Sequence, residues 1–533
     1  MAGKLPIGSV PAAGRTGFGA PALGRAGASY MRGERSAVFA NWWPGLRDSR
    51  DDVRASYVRA AARTIDAMHN SGWLAGAVNQ SIAAIIGTGL RLAAKPDAQA
   101  LRWGPTAANE WARAVERRFE AWASTPLECD AAGKNTLAQQ CASGLRSHLS
   151  HGEIVGLVQW INRPVSQTRT KVKLVPAHWL LQDSDGQNLF QGVRVDRDGM
   201  PVKYRMQLGP AGIDNNGPVE IDARDACGRP RVIHIFDGDV GQMRGISPFA
   251  PALRLVRQTD QLSDATLTAA LIQTIHAATI KSQAPTQDVL AALQSETEQG
   301  MTQGLSGGSM ADYLTATTGW YSEANIDLYG PGALGKIAHL FPGEELEFLR
   351  SEHPNENYEA QSRILLREIA RAIGMGYETL TGDYSGATYS SVRMESSVQW
   401  PVILWKRLHI AAPLYQVAFE AWLEEDIDSG ATPFPGGLDA FVANRAAACR
   451  ADWRGPPRPQ ADDLKYAKAV EVLFNLGLMT AEQVCAELGA DWEDIFEQLK
   501  READLRQKYG LPDPRAPKQD KLADALATET EGA

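Results

Sequence analysis

Apolar positions along the chain follow two periods, and the changes of period divide it into blocks. Over residues 51–86 they recur as Val53, Tyr57, Ala61, Ile65 and Met68, then as Leu74, Val78, Ile82 and Ile86. That spacing predicts two amphipathic helices. Gly87-Thr88-Gly89 closes the second, and Leu90-Arg91-Leu92 reads as a short strand. Residues 106–123 form another expected helix, with Trp111, Val115, Phe119 and Trp122 on one face. Residues 136–151 form the next. From residue 153 the period shortens. Ile154-Val155-Gly156-Leu157-Val158 and Val172-Lys173-Leu174-Val175 read as strands. Val193-Arg194-Val195 and Val202-Lys203-Tyr204-Arg205 flank an Asp-Gly turn and predict a hairpin. Val232-Ile233-His234-Ile235-Phe236 is one more strand.

At Ser247 the helical period returns, with Pro248 placed for a first turn. Leu253, Val256, Leu262, Leu267, Leu271, Ile275 and Ala278 extend an apolar stripe to about Lys281. Some 34 residues at 1.5 Å each predict a helix of roughly 50 Å. Residues 283–350 are mixed: an acidic helix, a Gly/Ser break over residues 304–309, and strands at Ile326-Asp327-Leu328 and Leu346-Glu347-Phe348. A helix then carries Ile364, Leu365, Ile369 and Ile373 and meets Gly374-Met375-Gly376. A polar loop follows: Thr381, Gly382, Asp383, Tyr384, Ser385, Gly386. One long helix is expected from about Ala387 to Glu425, kinked at Pro401 and Pro413. Its Trp400, Trp405, Tyr415, Phe419 and Trp422 read as core. Residues 432–459 are loop-rich, and residues 462–509 are helical with breaks at Gly477 and Gly489. Residues 1–40 and those after Leu511 have little to bury and are expected to be flexible.

A chain of 533 residues predicts several domains. The formal net charge of −9 argues against a broad basic face that grips DNA tightly. Cys129, Cys141, Cys227, Cys449 and Cys485 form no C-x-x-C pair, so no zinc site or disulfide framework is expected. No apolar run reaches the roughly 18 residues of a membrane span, and no signal peptide opens the chain. Two rival chemistries deserve mention. Gly304-Leu305-Ser306-Gly307-Gly308 matches the serine-hydrolase elbow, but the polar stretch before Ser306 is no buried strand. His148 and His151 sit one turn apart beside Glu153, short of the three or four ligands a metal hydrolase needs. Neither nucleophile, metal site nor cofactor cradle is expected.

Several stretches resemble the portal proteins of tailed bacteriophages, the lambda-type family in particular. They run in family order. Val232 to Phe236 is followed by Gly241-Gln242-Met243-Arg244-Gly245-Ile246-Ser247-Pro248. Gly330-Pro331-Gly332 comes with Leu340-Phe341-Pro342-Gly343-Glu344. The glycine-rich loop after Pro354-Asn355-Glu356-Asn357-Tyr358 is next, then Trp453-Arg454-Gly455-Pro456. Gly477-Leu478-Met479-Thr480 and Leu488-Gly489-Ala490-Asp491 complete the set.

The resemblance implies an α+β portal fold assembled as a ring. It implies a flexible arm over residues 1–40 and a wing over 41–246. Stem helices fall at 247–282 and 353–375, with a clip between them at 283–352. A tunnel loop follows at 376–392, then a kinked helix returning to the wing at 393–455, a crown at 456–510 and a tail at 511–533. It also implies a closed homo-oligomeric ring, most simply a dodecamer, at one capsid vertex of the virion, assembled in the host cytoplasm. Non-specific double-stranded DNA is packaged through the ring by a separate terminase large subunit and later ejected. Head-completion and connector proteins dock on the clip, and major capsid and scaffold proteins surround the ring. No enzyme activity, cofactor, metal or membrane is implied. The residues expected at the DNA channel are Thr381, Gly382, Asp383, Tyr384, Ser385, Gly386, Thr388 and Arg393.

Overall fold

A computed structural model describes residues 45–209, 217–274, 278–282, 344–348, 356–459 and 462–513. Ser306, the strand expected at residues 326–328 and the expected flexible arm lie outside these residues. The longer helices are α1 (Ser49–Asn70), α2 (Gly72–Ile86), α3 (Pro105–Ser124) and α4 (Leu137–His151). After them come α5 (Leu253–Thr274), α6 (Glu356–Ile373), α7 (Tyr389–Lys406) and α8 (Ala412–Asp428). The last three are α9 (Asp463–Asn475), α10 (Ala481–Glu487) and α11 (Trp492–Tyr509). The strands are β1 (Arg91–Ala94), β2 (Glu153–Trp160), β3 (Thr170–Val175), β4 (Leu189–Phe190), β5 (Val193–Val195) and β6 (Pro201–Met206). They continue with β7 (Val219–Asp222), β8 (Val232–Phe236), β9 (Ala278–Ser282), β10 (Glu344–Phe348) and β11 (Ala451–Arg454). This is an α+β chain, as the two periods predict.

Two antiparallel sheets sit back to back. One has the order β3-β2-β8 and the other β4-β5-β6-β7. Side chains alternate across a strand, and β2 serves two cores in consequence. Ile154 faces a helical core shared with Leu145 and Leu149 of α4 and Phe419 and Trp422 of α8. Val155 and Leu157 face a second core with Val193, Tyr204 and Met206 of the other sheet. Burial on both faces explains why β2 reads as a continuous apolar run and not as a clean alternation.

A buried charge cluster joins these layers. The Arg244 Nε lies 3.0 and 2.9 Å from the two carboxylate oxygens of Glu153, and both side chains are fully buried. Tyr57 of α1 donates its hydroxyl to Glu153 at 2.8 Å, and His234 of β8 stands 3.1 Å away. Arg244 also donates to the carbonyls of Gln191 at 2.9 Å and Leu180 and Ala177 at 3.2 Å. Burial pushes the Glu153 carboxyl up. The charge of Arg244, with the hydrogen bonds from His234 and Arg244, outweighs it and holds the carboxyl far below its ordinary range. Gly152, at φ +94°, ends α4 and leads Glu153 into this cluster.

Three expectations need correction. The helix expected to reach Lys281 ends at Thr274, and Ala278–Ser282 is a strand paired antiparallel with Glu344–Phe348. At 22 residues, α5 is about 33 Å long. The β-branched Thr279 and Ile280 favour the extended form, and a ladder partner some sixty residues on satisfies the backbone. The stretch at 432–459 is more ordered than expected. It contains helices Gly437–Ala443 and Arg445–Ala448, and its β11 pairs with β1. The expected single helix from 387 to 425 is two α-helices separated by a π-helical turn at Arg407–Ala411. Pro401 lies inside α7, and Pro413 sits in the first turn of α8, where its missing donor costs least. Tyr415, Phe419 and Trp422 are core, but Trp405 is 53% exposed.

The C-terminal helices α9 to α11 contain no buried residue. Ion pairs attach them to the body: Arg113 with Glu493 and Glu497, Arg454 with Asp491 at 2.7 Å, Lys95 with Glu482 at 3.3 Å. Beneath them Glu116 accepts the Ala94 N–H at 2.6 Å. Burial pushes its carboxyl up to about 7. A carboxyl with a raised folded-state pKa favours the folded protein at low pH, and that contribution is lost as pH rises from its ordinary 4.5 through 7. Glu116→Gln, which keeps an acceptor and removes the charge, should therefore stabilise the protein above pH 7. The gain is expected to be about 1–3 kcal/mol, shrinking towards zero near pH 4. Denaturant unfolding at both pH values checks it; an equal effect at both would contradict the assignment to Glu116.

Candidate functional site

The polar loop is held at both ends by backbone-level devices. Helix α6 ends at Gly374, φ +75°, and a short helix follows at Tyr377–Thr381. Gly382, φ +69°, caps that helix, its N–H bonded to the Glu378 carbonyl at 2.8 Å. Left-handed φ is cheap only for glycine, so the glycine fixes where the loop begins. At the far end Thr388 caps α7. Its Oγ1 accepts the Ser391 N–H at 3.2 Å, and the Ser391 Oγ accepts the Thr388 N–H at 2.9 Å.

Between these ends the loop makes its own bonds. The Asp383 carboxylate accepts the Ser385 hydroxyl at 2.6 Å and the Ser385 N–H at 3.0 Å. These bonds hold its carboxyl below the ordinary range, with help from the Tyr377 hydroxyl at 3.4 Å. The Ala387 N–H reaches the Tyr384 carbonyl at 3.0 Å. Tyr384 is 53% exposed, and Gly386 and Ser385 face solvent. A polar seat supports the loop from below. Thr379 Oγ1 donates to Glu395 at 3.2 Å, and Gln399 donates to Glu395 at 2.7 Å. Gly376 lies against Glu395 and Gln399 so closely that no Cβ fits there without moving them.

Of the residues expected at the channel, Thr381 belongs to the short helix, where its hydroxyl bonds the Tyr377 carbonyl at 2.8 Å. The others lie on the loop or, for Arg393, one turn into α7, exposed. The structure adds two cations that sequence order hid. Lys465 stands over the Tyr389 ring at 5.2 Å, and Arg458 donates to the Ser397 hydroxyl. Both come from more than sixty residues downstream. Only the folded chain brings them beside Arg393, so no local sequence signal marks them.

The two histidines serve the scaffold. The His148 Nδ1 is 3.0 Å from the Gly152 carbonyl. A carbonyl only accepts, so Nδ1 carries the proton. Burial pulls the His148 pKa down to about 4, leaving the ring neutral. His151 contacts the Ser150 hydroxyl at 2.8 Å and stacks on His178. Among the described residues no three His, Cys, Asp or Glu side chains converge as a metal site. None of the described helices is long and apolar enough to cross a membrane.

What the loop offers is hydroxyls, a restrained carboxylate and a solvent-facing ring, the equipment of a contact surface. Residues 35–407 match the model of the family described as phage portal protein, lambda family, and the chain belongs to that family. The portal protein of Escherichia phage N15 is 28% identical over 484 residues, covering 89% of each chain. Portal protein B of Escherichia phage lambda is 27% identical over 481 residues, again 89% of each. Among solved structures, a chain in the neck of an empty GTA particle aligns with 84% of this chain and 94% of its own, at 13% identity and a TM-score of 0.42.

Proposed function

We propose that identical copies of this chain close into a ring of about a dozen subunits at one capsid vertex, forming the channel for double-stranded DNA. Membership of the portal family over most of the chain carries this reading. A separate terminase hydrolyses ATP and drives DNA in, and the same channel releases it. Connector proteins dock on residues 283–352, and capsid and scaffold proteins contact the rim.

The arrangement of α5 and α6 supports a stem. They pack against each other, and the chain leaving α5 pairs as β9 with the chain entering α6 as β10. Native mass spectrometry tests the ring directly. Purified protein without nucleotide or metal should show one closed oligomer; a monomer would overturn the reading.

The loop at 381–388 projects into the channel in this proposal. Ser385 and Thr388 offer hydroxyls to phosphate oxygens without reading sequence. Tyr384 supplies a flat surface for sliding contact, and Arg393, Arg458 and Lys465 are the nearby cations. Asp383→Ala with Tyr384→Ala removes the internal brace and the exposed ring together. Assembly should remain intact while DNA-filled heads fall several-fold in a packaging assay. Unchanged packaging would remove the loop from the channel.

A further inference from the structure

We infer that α9, α10 and α11 form a latch: one helical unit, held on the body by exposed ion pairs, that lifts off and re-seats while the body stays folded. The latch lies within one chain and does not depend on the ring proposed above. The unit is equipped to stand by itself. Each helix begins on its own side-chain cap, Asp462, Thr480 and Asp491. The Tyr466 hydroxyl donates to Glu487 at 2.7 Å and ties α9 to α10, and α10 packs against α11. None of the three helices buries a residue. Helix α3, across the seam, buries Val115, Phe119 and Trp122 in the core of the body. Clefts of 430, 340 and 450 Å³ run between α11 and the body at β1 and α3. Neither close packing nor full burial fastens this seam.

What spans the seam is charge. Cations of the body meet acids of the unit: Arg113 with Glu493 and Glu497, Arg454 with Asp491, Lys95 with Glu482. The Glu482 and Glu497 side chains are 45% and 58% exposed. Ion pairs within reach of water are individually weak, and salt screens them. The unit also touches the body through Gly489, which stands against Gly455 and Pro457, and through the Ala490 carbonyl, which accepts from Arg454 at 3.2 Å. Glu116 links the seam to pH. It lines the 430 Å³ cleft, and Asp491, Asp494 and Glu497 line it from the unit. On the body side the charged and titratable groups are Arg91 of β1, Arg454 of β11, Arg113, Arg117 and Glu120 of α3, and Tyr415 of α8. Burial raises the Glu116 carboxyl to about 7; Asp491 and Asp494 add to the rise, while the Ala94 N–H and Arg454 oppose it. Lifting the unit opens this cleft to water and returns Glu116 towards its ordinary 4.5, so seating the unit takes up a proton. The seat is therefore firmest at low pH and weakens as pH rises from 4.5 through 7.

Hydrogen exchange on the full-length protein tests the latch, with rates corrected for intrinsic exchange at each pH. The Debye length falls from about 30 Å at about 10 mM salt to about 3 Å at about 1 M. Across that change at pH 7, protection of residues 463–509 should fall about tenfold or more, because α10, at 7 residues, is too short to hold as an isolated helix. Protection of α2, α4 and β2 should stay as it was. Lys95→Gln with Arg113→Gln should show the high-salt behaviour already at low salt. Raising pH from 6 to 8 at low salt should lower protection of the unit in the natural protein and not in Glu116→Gln. Sedimentation at both salt concentrations follows the oligomeric state. Protection of 463–509 that ignores salt overturns the latch. A loss shared with α2 and β2 overturns it too, since that is unfolding of the whole chain. So does a loss that appears only as an oligomer dissociates, since the contact broken is then between copies. A pH effect that survives in Glu116→Gln overturns the role given to that carboxyl.

Discussion

Arg244→Leu should cost about 3–5 kcal/mol at pH 7, the expected price of stranding a buried partner charge. The leucine fills much of the space but leaves Glu153 fully buried without its cation. It also leaves the carbonyls of Ala177, Leu180 and Gln191 without their donor. Removing both charges, as Arg244→Leu with Glu153→Leu, should cost less than the single change, because no ion is then stranded. The pH dependence has a definite sign. In the natural protein the Glu153 carboxyl is depressed, so its contribution is complete above its ordinary pKa near 4.5 and is lost as pH falls below it. In the Arg244→Leu protein the charge that chiefly opposes burial is gone, leaving the His234 hydrogen bond to oppose it, so the carboxyl rises and that variant's deficit should narrow on acidification. Denaturant unfolding across pH 4–8 measures both. A cost that is small and independent of pH would show that the cluster contributes nothing beyond packing.

Gly152→Ala should be nearly as damaging, for a steric reason. A Cβ there would fall 2.2 Å from the backbone N and C of Ile246, and backbone cannot swing aside as a side-chain tip does. The residue also sits at φ +94°, a conformation that costs a non-glycine residue about 1–3 kcal/mol before any overlap is counted. Across the same contact, a Cβ on Gly245 would fall 2.1 Å from the Gly152 carbonyl oxygen. The two glycines let the chain entering β2 and the chain leaving β8 cross almost in contact, directly beside Glu153 and Arg244. Thermal unfolding should show a loss of several degrees, and the unfolding midpoint of Gly104→Ala, where φ is an ordinary −71° and the added Cβ meets nothing within 4 Å, should move much less.

Periodicity alone made most helices readable, since α1 to α4 each bury one stripe and a stripe is visible in the residue order. The hairpin at β5 and β6 was equally plain from its Asp-Gly turn. Long-range pairing left no such trace. Glu153 and Arg244 stand 91 positions apart, and nothing near either one announces the other. The strand at Ala278–Ser282 continued an apolar spacing compatible with helix, and its ladder partner lies far downstream. Trp405 looked like core because α7 is apolar on several faces, and a sequence cannot say which of them the body covers. The loop at 382–388 was legible through its glycines and hydroxyls, whereas Lys465 and Arg458 reach Tyr389 and Ser397 of α7 only through the fold.

The π-helical turn at Arg407–Ala411 sets the heading of everything before it. An α-helix advances 100° per residue, and one residue more in a turn puts the following helix out of phase by about that angle. Arg407 pins the turn by donating to the carbonyls of Ile85 at 2.8 Å and Pro456 at 3.0 Å. Upstream, α7 buries nothing; downstream, α8 buries Leu414, Tyr415, Phe419 and Trp422. The two helices therefore work as a crankshaft, one throw locked in the body and the other laid along its surface, where Ile403 packs against the core. Deleting a single residue within 407–411 would swing α7 and the loop at its head by roughly a quarter of a revolution. A deletion in the loop itself would leave that heading unchanged.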